Sequence, residues 1–268
     1  MSSQLLFLYL VTSLIWGTTW YVIKFQLTTV GVIPGVFYRF IFASLISFIF
    51  IKIKNYKIQL NLRNHFYLLL QGVFNFSINY LLVYWSEKYI SSALAALIFT
   101  SLIYFNMFGL FFFYKRKMEY KTILGSFVGI IGVFLISKGE LGNTWSSSIV
   151  ALGVLLSFLS TFSASIGNMI SIKNHYDKIP VMVINAWSML YGSLFTLFLG
   201  LIKKDTFSFH PTFEFFISWI YLTVFGTVIA FYAYQTLIKE IGAHKAAYTS
   251  ILSPVVAIGI SIAFENLV

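Results

Sequence analysis

Apolar residues along the chain fall into nine continuous runs separated by short polar stretches. A helix needs about 20 mostly apolar residues to cross roughly 30 Å of hydrocarbon. On that measure the runs predict spans at 5–23, 32–51, 66–85, 91–113, 121–137, 149–170, 180–202, 214–237 and 243–264. They are too long and too continuous for the short alternating segments of a β-barrel, so all nine are read as helices. The first run has no basic leader and no small-residue cleavage site, and it carries Thr18 and Thr19. It is therefore predicted to be a retained span rather than a signal peptide.

The nine spans also read as one five-span pattern written twice, with the tenth member absent. Shifting the chain by 151 positions lays Ser91–Ala96 on Gly242–Ala247 and Lys88 on Lys239. Spans 3–4 and 8–9 are both tight hairpins. The predicted fold is an all-α polytopic membrane protein built as an inverted 5+5 repeat without its tenth helix. The first repeat is 1–138; the second is 149–268, ending after its fourth helix. An odd-numbered repeat inserts the second time with opposite orientation, and two such halves build a solute site at their interface near the bilayer midplane.

Polar positions inside the spans mark what that interface is made of. Span 3 carries Gln71, Asn75 and Asn79 at i, i+4 and i+8, which is one helix face. Span 6 carries Ser157, Thr161, Ser165 and Asn168, again on one face. Amides left facing lipid would be unsatisfied, so both faces should point inward, either lining a solute path or bonding neighbouring helices. Arg39 is the one formal charge well inside a span. An Arg near the bilayer centre costs about 2.5–3.5 kcal/mol on insertion scales. It should therefore either contact an anion or carboxylate in the path, or hydrogen-bond to backbone carbonyls or a Tyr. Trp16 and Tyr80 lie within spans beside polar positions and rank above the other aromatic wall candidates Trp20, Tyr38, Trp85, Tyr232 and Tyr248. Pro254 removes a helical hydrogen bond to Ser250 and is expected to kink span 9. Gly125, Gly129 and Gly132 give span 5 a close-contact face, for packing within the chain or for a homodimer.

Composition confirms the class. The 268 residues are 59% hydrophobic and 10% charged, with no Cys. The lack of Cys removes disulfides and Cys-ligated metal or iron–sulfur sites. The four His are scattered without metal-ligand spacing, and neither a metal nor a cofactor is expected. The net charge of +10 is a topology signal rather than a nucleic-acid footprint. Twelve of the 18 Lys and Arg fall in the loops after spans 2, 4, 6 and 8. The positive-inside rule then puts the N-terminus in the cytoplasm of a multi-pass cytoplasmic-membrane protein. All Asp and Glu lie in loops or near span ends, which disfavours a proton-coupled cation exporter with a central carboxylate. The zinc-protease, nucleophile-elbow and P-loop motifs are absent. A membrane enzyme acting on lipid-linked substrates would need clustered Asp, Glu or His at one membrane face, and these are dispersed.

Several short motifs, in their joint order, resemble the EamA-like branch of the drug/metabolite transporter superfamily. They are Trp16-Gly17-Thr18, Arg39-Phe40 with Ala43, the small-residue run Ser91 to Ala96, and Ala246-Ala247 leading to Ser253-Pro254. The chain departs from the pattern at Ile103, where the family often has Pro, and at Lys115-Arg116-Lys117, which replace a Gly-Glu. The resemblance implies that spans 1–4 and 6–9 line a central cavity and that span 5 packs outside. It also implies a secondary transporter for amino acids or related small organic metabolites, working by alternating access within the lipid bilayer. An inactive truncated transporter is the alternative that the missing tenth helix raises. The expected substrate-binding residues are Trp16, Arg39, Asn75, Asn79, Tyr80 and Asn168.

Overall fold

The computed structural model describes residues 2–56, 59–116, 148–207 and 212–264, with single positions at 120, 124, 125, 128 and 131. Among the described residues there is no strand, and eight helices are long and apolar enough to cross a membrane. They are α1 (Ser3–Leu27), α2 (Val32–Ile53), α3 (Leu62–Ser86), α4 (Ser92–Tyr114), α5 (Ser148–Tyr176), α6 (Val181–Lys203), α7 (Phe213–Ile241) and α8 (Ala243–Phe264). These correspond to predicted spans 1–4 and 6–9, most of them a few residues longer at one or both ends. Predicted span 5, with Gly129 and Gly132, falls outside the described residues apart from single positions.

The helix starts are written locally. The side chains of Ser2, Ser91 and Thr212 each accept from the backbone N–H three residues on, capping α1, α4 and α7. Asn61 and Asn64 cap α3 reciprocally, at 2.9 and 3.2 Å. Pro34 sits in the first turn of α2, where its missing N–H costs nothing. The α7–α8 turn passes through Gly242 at φ +86°, a conformation that a side chain would strain.

Four helices are not α throughout. Gly72–Ile78 in α3 and Val224–Ile229 in α7 are π-helical. α4 is interrupted between Phe99 and Leu102, and α8 between Ala246 and Thr249. Pro254 lies inside the uninterrupted stretch Thr249–Phe264, so the break in α8 precedes the proline rather than coinciding with it.

Packing inverts the arrangement of a water-soluble core. Large apolar side chains such as Phe7, Leu14, Ile49, Phe112, Phe198 and Val255 point outward. Small polar ones are buried, and many return their hydroxyl to a carbonyl one turn back, as Thr12, Ser47, Thr161 and Thr196 do. That is the economy of a bilayer, where close contact between helices comes from small side chains and each polar group needs an internal partner. α2 lies along α6, α1 packs on α7 and α8, and α5 packs on α3 and α4.

The tightest crossing is between α3 and α6. A Cβ on Gly72 would stand 2.3 Å from the Ser188 carbonyl oxygen, and one on Gly192 would stand 2.6 Å from the Gly72 carbonyl oxygen. Here backbone touches backbone, so neither side can give. Gly72→Ala is expected to destabilise the purified protein by about 1–3 kcal/mol in thermal unfolding. Gly259→Ala, in open space, should leave stability unchanged or raise it by up to about 1 kcal/mol.

Candidate functional site

A cavity of about 50 Å³ lies midway along the bundle, walled by α1, α3, α4, α5, α7 and α8. A water occupies at least about 10–15 Å³ of such space, which leaves room for a few waters. Its apolar wall includes Trp16, Trp20, Tyr80, Phe99, Phe231 and Tyr234. Trp16 packs against Phe231 and Tyr234 with ring centroids 5.1 and 4.8 Å apart. The polar part is Thr19, Asn75, Asn79, Asn168, Ser250 and Ser253. No Asp, Glu, Lys or Arg is among the described lining residues.

Five of the six residues singled out from the sequence meet at this cavity: Trp16, Asn75, Asn79, Tyr80 and Asn168. Arg39 does not line it. The lining also corrects one implication of the family resemblance, because no described lining residue comes from α2 or α6. These two helices lie along each other, and Val36, Phe40 and Met189 are buried in the core behind the wall.

The three amides of α3 are all buried, and two of them face α5: Gln71 meets Asn174 and Asn75 lies against Gly167. Gln71 leaves the cavity and accepts from Asn174 Nδ2 at 2.7 Å, whereas Asn75 and Asn79 stay in the wall. Asn79 Nδ2 donates to the Asn75 carbonyl at 3.3 Å. Asn75 fits only because position 167 is glycine; a Cβ there would lie 2.4 Å from Asn75 Cγ. Asn75 Nδ2 and Asn79 Oδ1 are buried without a hydrogen-bond partner in the protein.

Asn168 belongs to a closed network. Its Nδ2 donates to Asn106 Oδ1 at 3.3 Å and to the Tyr234 hydroxyl at 3.0 Å, and Asn106 Nδ2 donates to the Ala243 carbonyl at 3.1 Å. Sequence reasoning missed Asn106 and Tyr234. A lone Asn in an apolar run was a signal for the first, but nothing separates Tyr234 from 16 other tyrosines. The rest of the α5 stripe joins helices or turns: Ser157 donates to the Ala95 carbonyl at 3.5 Å and Thr161 to Ser157 at 2.8 Å. One turn beyond the Asn106–Asn168–Tyr234 layer lies a second hollow of about 460 Å³. It is lined by Leu110, Ile172 and Ile238 and by the charged or polar Arg116, His175, Lys239, Glu240 and His244.

Arg39 is 1% exposed, and each guanidinium nitrogen is engaged. Nε donates to Thr227 Oγ1 at 2.8 Å, Nη1 to the Tyr84 hydroxyl at 3.4 Å and Nη2 to the Gly226 carbonyl at 3.3 Å. Its centre is 4.6 Å from the Tyr80 ring centroid, a cation–π contact. Trp16 Nε1 donates to the same Gly226 carbonyl at 3.3 Å, and Thr227 Oγ1 donates to the Leu222 carbonyl at 2.8 Å. Of the two roles open to Arg39, the geometry is that of a residue bonded to a carbonyl, a threonine and a tyrosine. It braces the π-helical segment of α7 from behind the wall.

Eight helices long and apolar enough to cross a membrane, six of them walling a small cavity of aromatic and amide side chains, define a multi-pass membrane protein. A model of the EamA-like transporter family matches residues 4–138 and again 151–267, and the chain belongs to that family. It is 25% identical over 259 residues to an uncharacterized transporter in the trpA 3' region of Buchnera aphidicola subsp. Schlechtendalia chinensis, covering 94% of this chain and 82% of that one. It is 25% identical over 251 residues to the uncharacterized inner membrane transporter YedA of Escherichia coli K12, covering 91% and 78%. A solved crystal structure shares the fold over all of this chain and 98% of its own, with a TM-score of 0.66 at 12% identity. The family and these relatives point to a transporter rather than an enzyme.

Arg39→Leu should lower stability in detergent by at least about 1.5–3 kcal/mol, the worth of one hydrogen bond to a charged group. Arg39→Lys should recover little of it, because an ammonium cannot fork between Thr227, Tyr84 and Gly226. Equal melting temperatures for the wild type and Arg39→Leu would contradict the bracing role.

Proposed function

We propose that the protein is a secondary transporter that moves a small organic metabolite across the cytoplasmic membrane by alternating access. The halves 1–138 and 149–268 are an inverted repeat, and the solute is held where they meet. The observation that carries this reading is the cavity midway along helices drawn from both halves. The packing supports it: the first helix of each half, α1 or α5, lies against the third and fourth helices of the other half. So do the two π-helical segments, at Gly72–Ile78 and Val224–Ile229, which sit at nearly the 151-residue offset read from the sequence. The hollow beyond the Asn106–Asn168–Tyr234 layer is the natural path on the basic-loop side.

Amino acids or related metabolites are the substrate range that the family resemblance suggests. Recognition at this wall rests on neutral hydrogen bonds and aromatic surface.

Purified protein in liposomes should take up at least one member of a labelled panel of amino acids and related metabolites. Asn79→Ala should reduce that uptake by about tenfold or more. Uptake unchanged in both Asn79→Ala and Asn75→Ala would remove the site assignment.

The N-terminus is proposed to be cytoplasmic. The chain has no Cys, so single cysteines report topology cleanly. Lys54→Cys should be protected from an impermeant thiol reagent added outside intact cells, and Lys88→Cys should be labelled by it. The reverse pattern would invert the orientation.

A further inference from the structure

We propose that Asn106, Asn168 and Tyr234 form a gate, whose opening joins the central cavity to the hollow on the basic-loop side. This rests on the transport reading of the cavity and assigns residues to its passage.

The first observation is register. Asn106, Asn168 and Tyr234 stand on α4, α5 and α7, and hydrogen bonds from Asn168 link them in one layer. One turn before each, Leu102, Ala164 and Phe231 line the cavity. One turn after each, Leu110, Ile172 and Ile238 line the hollow. Three helices thus pass cavity, layer and hollow in the same order. An α-helix rises only about 12 Å over eight residues, so the division between the two spaces is thin. Asn168 and Tyr234 also face the cavity, and Ala243, whose carbonyl accepts from Asn106, lines the hollow.

The second observation is a seam. α4 and α5 are tied to each other. The Tyr114 hydroxyl donates to the Met169 carbonyl at 2.7 Å, and a Cβ on Gly109 would stand 2.8 Å from the Met169 side chain. Across from this pair lies the α7–α8 hairpin, with Tyr234 and Ala243. Two hydrogen bonds of the layer cross between the sides: Asn168 to Tyr234 at 3.0 Å and Asn106 to the Ala243 carbonyl at 3.1 Å. Beside them, Gln235 Oε1 accepts from Ser171 and lies 3.3 Å from His175 Nε2. Water can replace each of these partners, so the net cost of parting them is modest.

The third observation is a pair of hinges. In α4, the N–H groups of Thr100, Ser101, Ile103 and Tyr104 reach back three residues instead of four, at 3.0–3.2 Å. In α8, those of Tyr248, Ser250 and Ile251 do the same, at 2.9–3.2 Å. Tight turns of this kind inside a helix often mark hinges. Asn106 follows the first and Ala243 precedes the second, so both ends of their hydrogen bond stand on segments set off from the rest of their helices. Leu102 and Ser250, at the two hinges, line the cavity. Bending there shifts the layer against the cavity wall.

Thiol accessibility tests the gate, because the chain has no Cys. In membrane vesicles, an impermeant methanethiosulfonate is applied from the side on which Lys54→Cys reacts, and modification rates are measured. Ile172→Cys, in the hollow, should react at least about tenfold faster than Ala164→Cys, which is reached only in the open fraction. Tyr234→Phe removes one hydrogen bond of the shut layer and should speed Ala164→Cys about threefold or more. Asn168→Ala removes two and should speed it further. Neither should change the rate at Ile172→Cys. Ala186→Cys, at a position 0% exposed whose carbonyl accepts from Ser44, controls for general loosening and should stay unreactive. If Asn168→Ala does not fold, Tyr234→Phe decides alone. Three results overturn the gate: Ala164→Cys as fast as Ile172→Cys in the otherwise unchanged chain, no effect of Tyr234→Phe, or a rise shared by Ala186→Cys. The liposome uptake assay keeps the two readings apart. Solute uptake with Ala164→Cys insensitive to Tyr234→Phe overturns the gate and leaves transport standing. The expected rates without flux of any solute leave the gate standing and overturn transport.

Discussion

The Gly226 carbonyl oxygen is where the middle of the bundle is tied together. It belongs to a π-helical turn, and it accepts hydrogen bonds from Trp16 of α1 and Arg39 of α2. In water, an irregular turn can hand its carbonyls to solvent. Within hydrocarbon it cannot, so non-helical or widened backbone persists only where other protein groups satisfy it. The neighbouring Leu222 carbonyl is met by Thr227, whose oxygen in turn accepts from Arg39. One buried guanidinium therefore fixes α2 against α7, and through Tyr84 and Tyr80 it fixes both against α3. Glycine at 226 is required by the same crowding: a Cβ there would stand 2.8 Å from Thr19 and 3.2 Å from the guanidinium.

The same constraint operates in α3 with different residues. There the Phe74 carbonyl of the π-helical segment accepts from Ser163 at 2.7 Å, and the Asn75 carbonyl accepts from Asn79. In both helices, a side chain that lines the cavity is also a cap for the irregular turn, Trp16 in one case and Asn79 in the other. Cavity contents and helix geometry are thus physically linked. A group that draws Asn79 or Trp16 away from its carbonyl changes the balance between the π turn and a regular helix. π turns are often found at functional positions.

Much of this was legible in the chain. Eight of the nine predicted spans are helices close to their expected bounds, because an unbroken apolar run of membrane length has few other solutions. The amide face of α3 was legible because Asn is too costly to point at lipid, and Asn75 and Asn79 do face inward. Arg39 was visible as an anomaly, but its partners were not. They lie 45 to 188 positions away in the chain, and no local pattern encodes them. Gln71 lies inward as its spacing predicts, but beyond the end of the cavity, where it meets Asn174; periodicity gives the face and not the depth at which a cavity sits.

By itself the sequence determined that the chain crosses a membrane as helices, and that small and polar residues gather on their inner faces. Hydropathy and helical periodicity are local properties, and a bilayer enforces them strictly. Only the tertiary structure decided which of those inward residues share a cavity. Five of the six candidates converge there, while Arg39 is held behind Tyr80 to stabilise a neighbouring helix. The reason is that a buried polar atom takes whichever partner the packing brings near, and packing between helices far apart in the chain is settled by glycines and widened turns that hydropathy does not register.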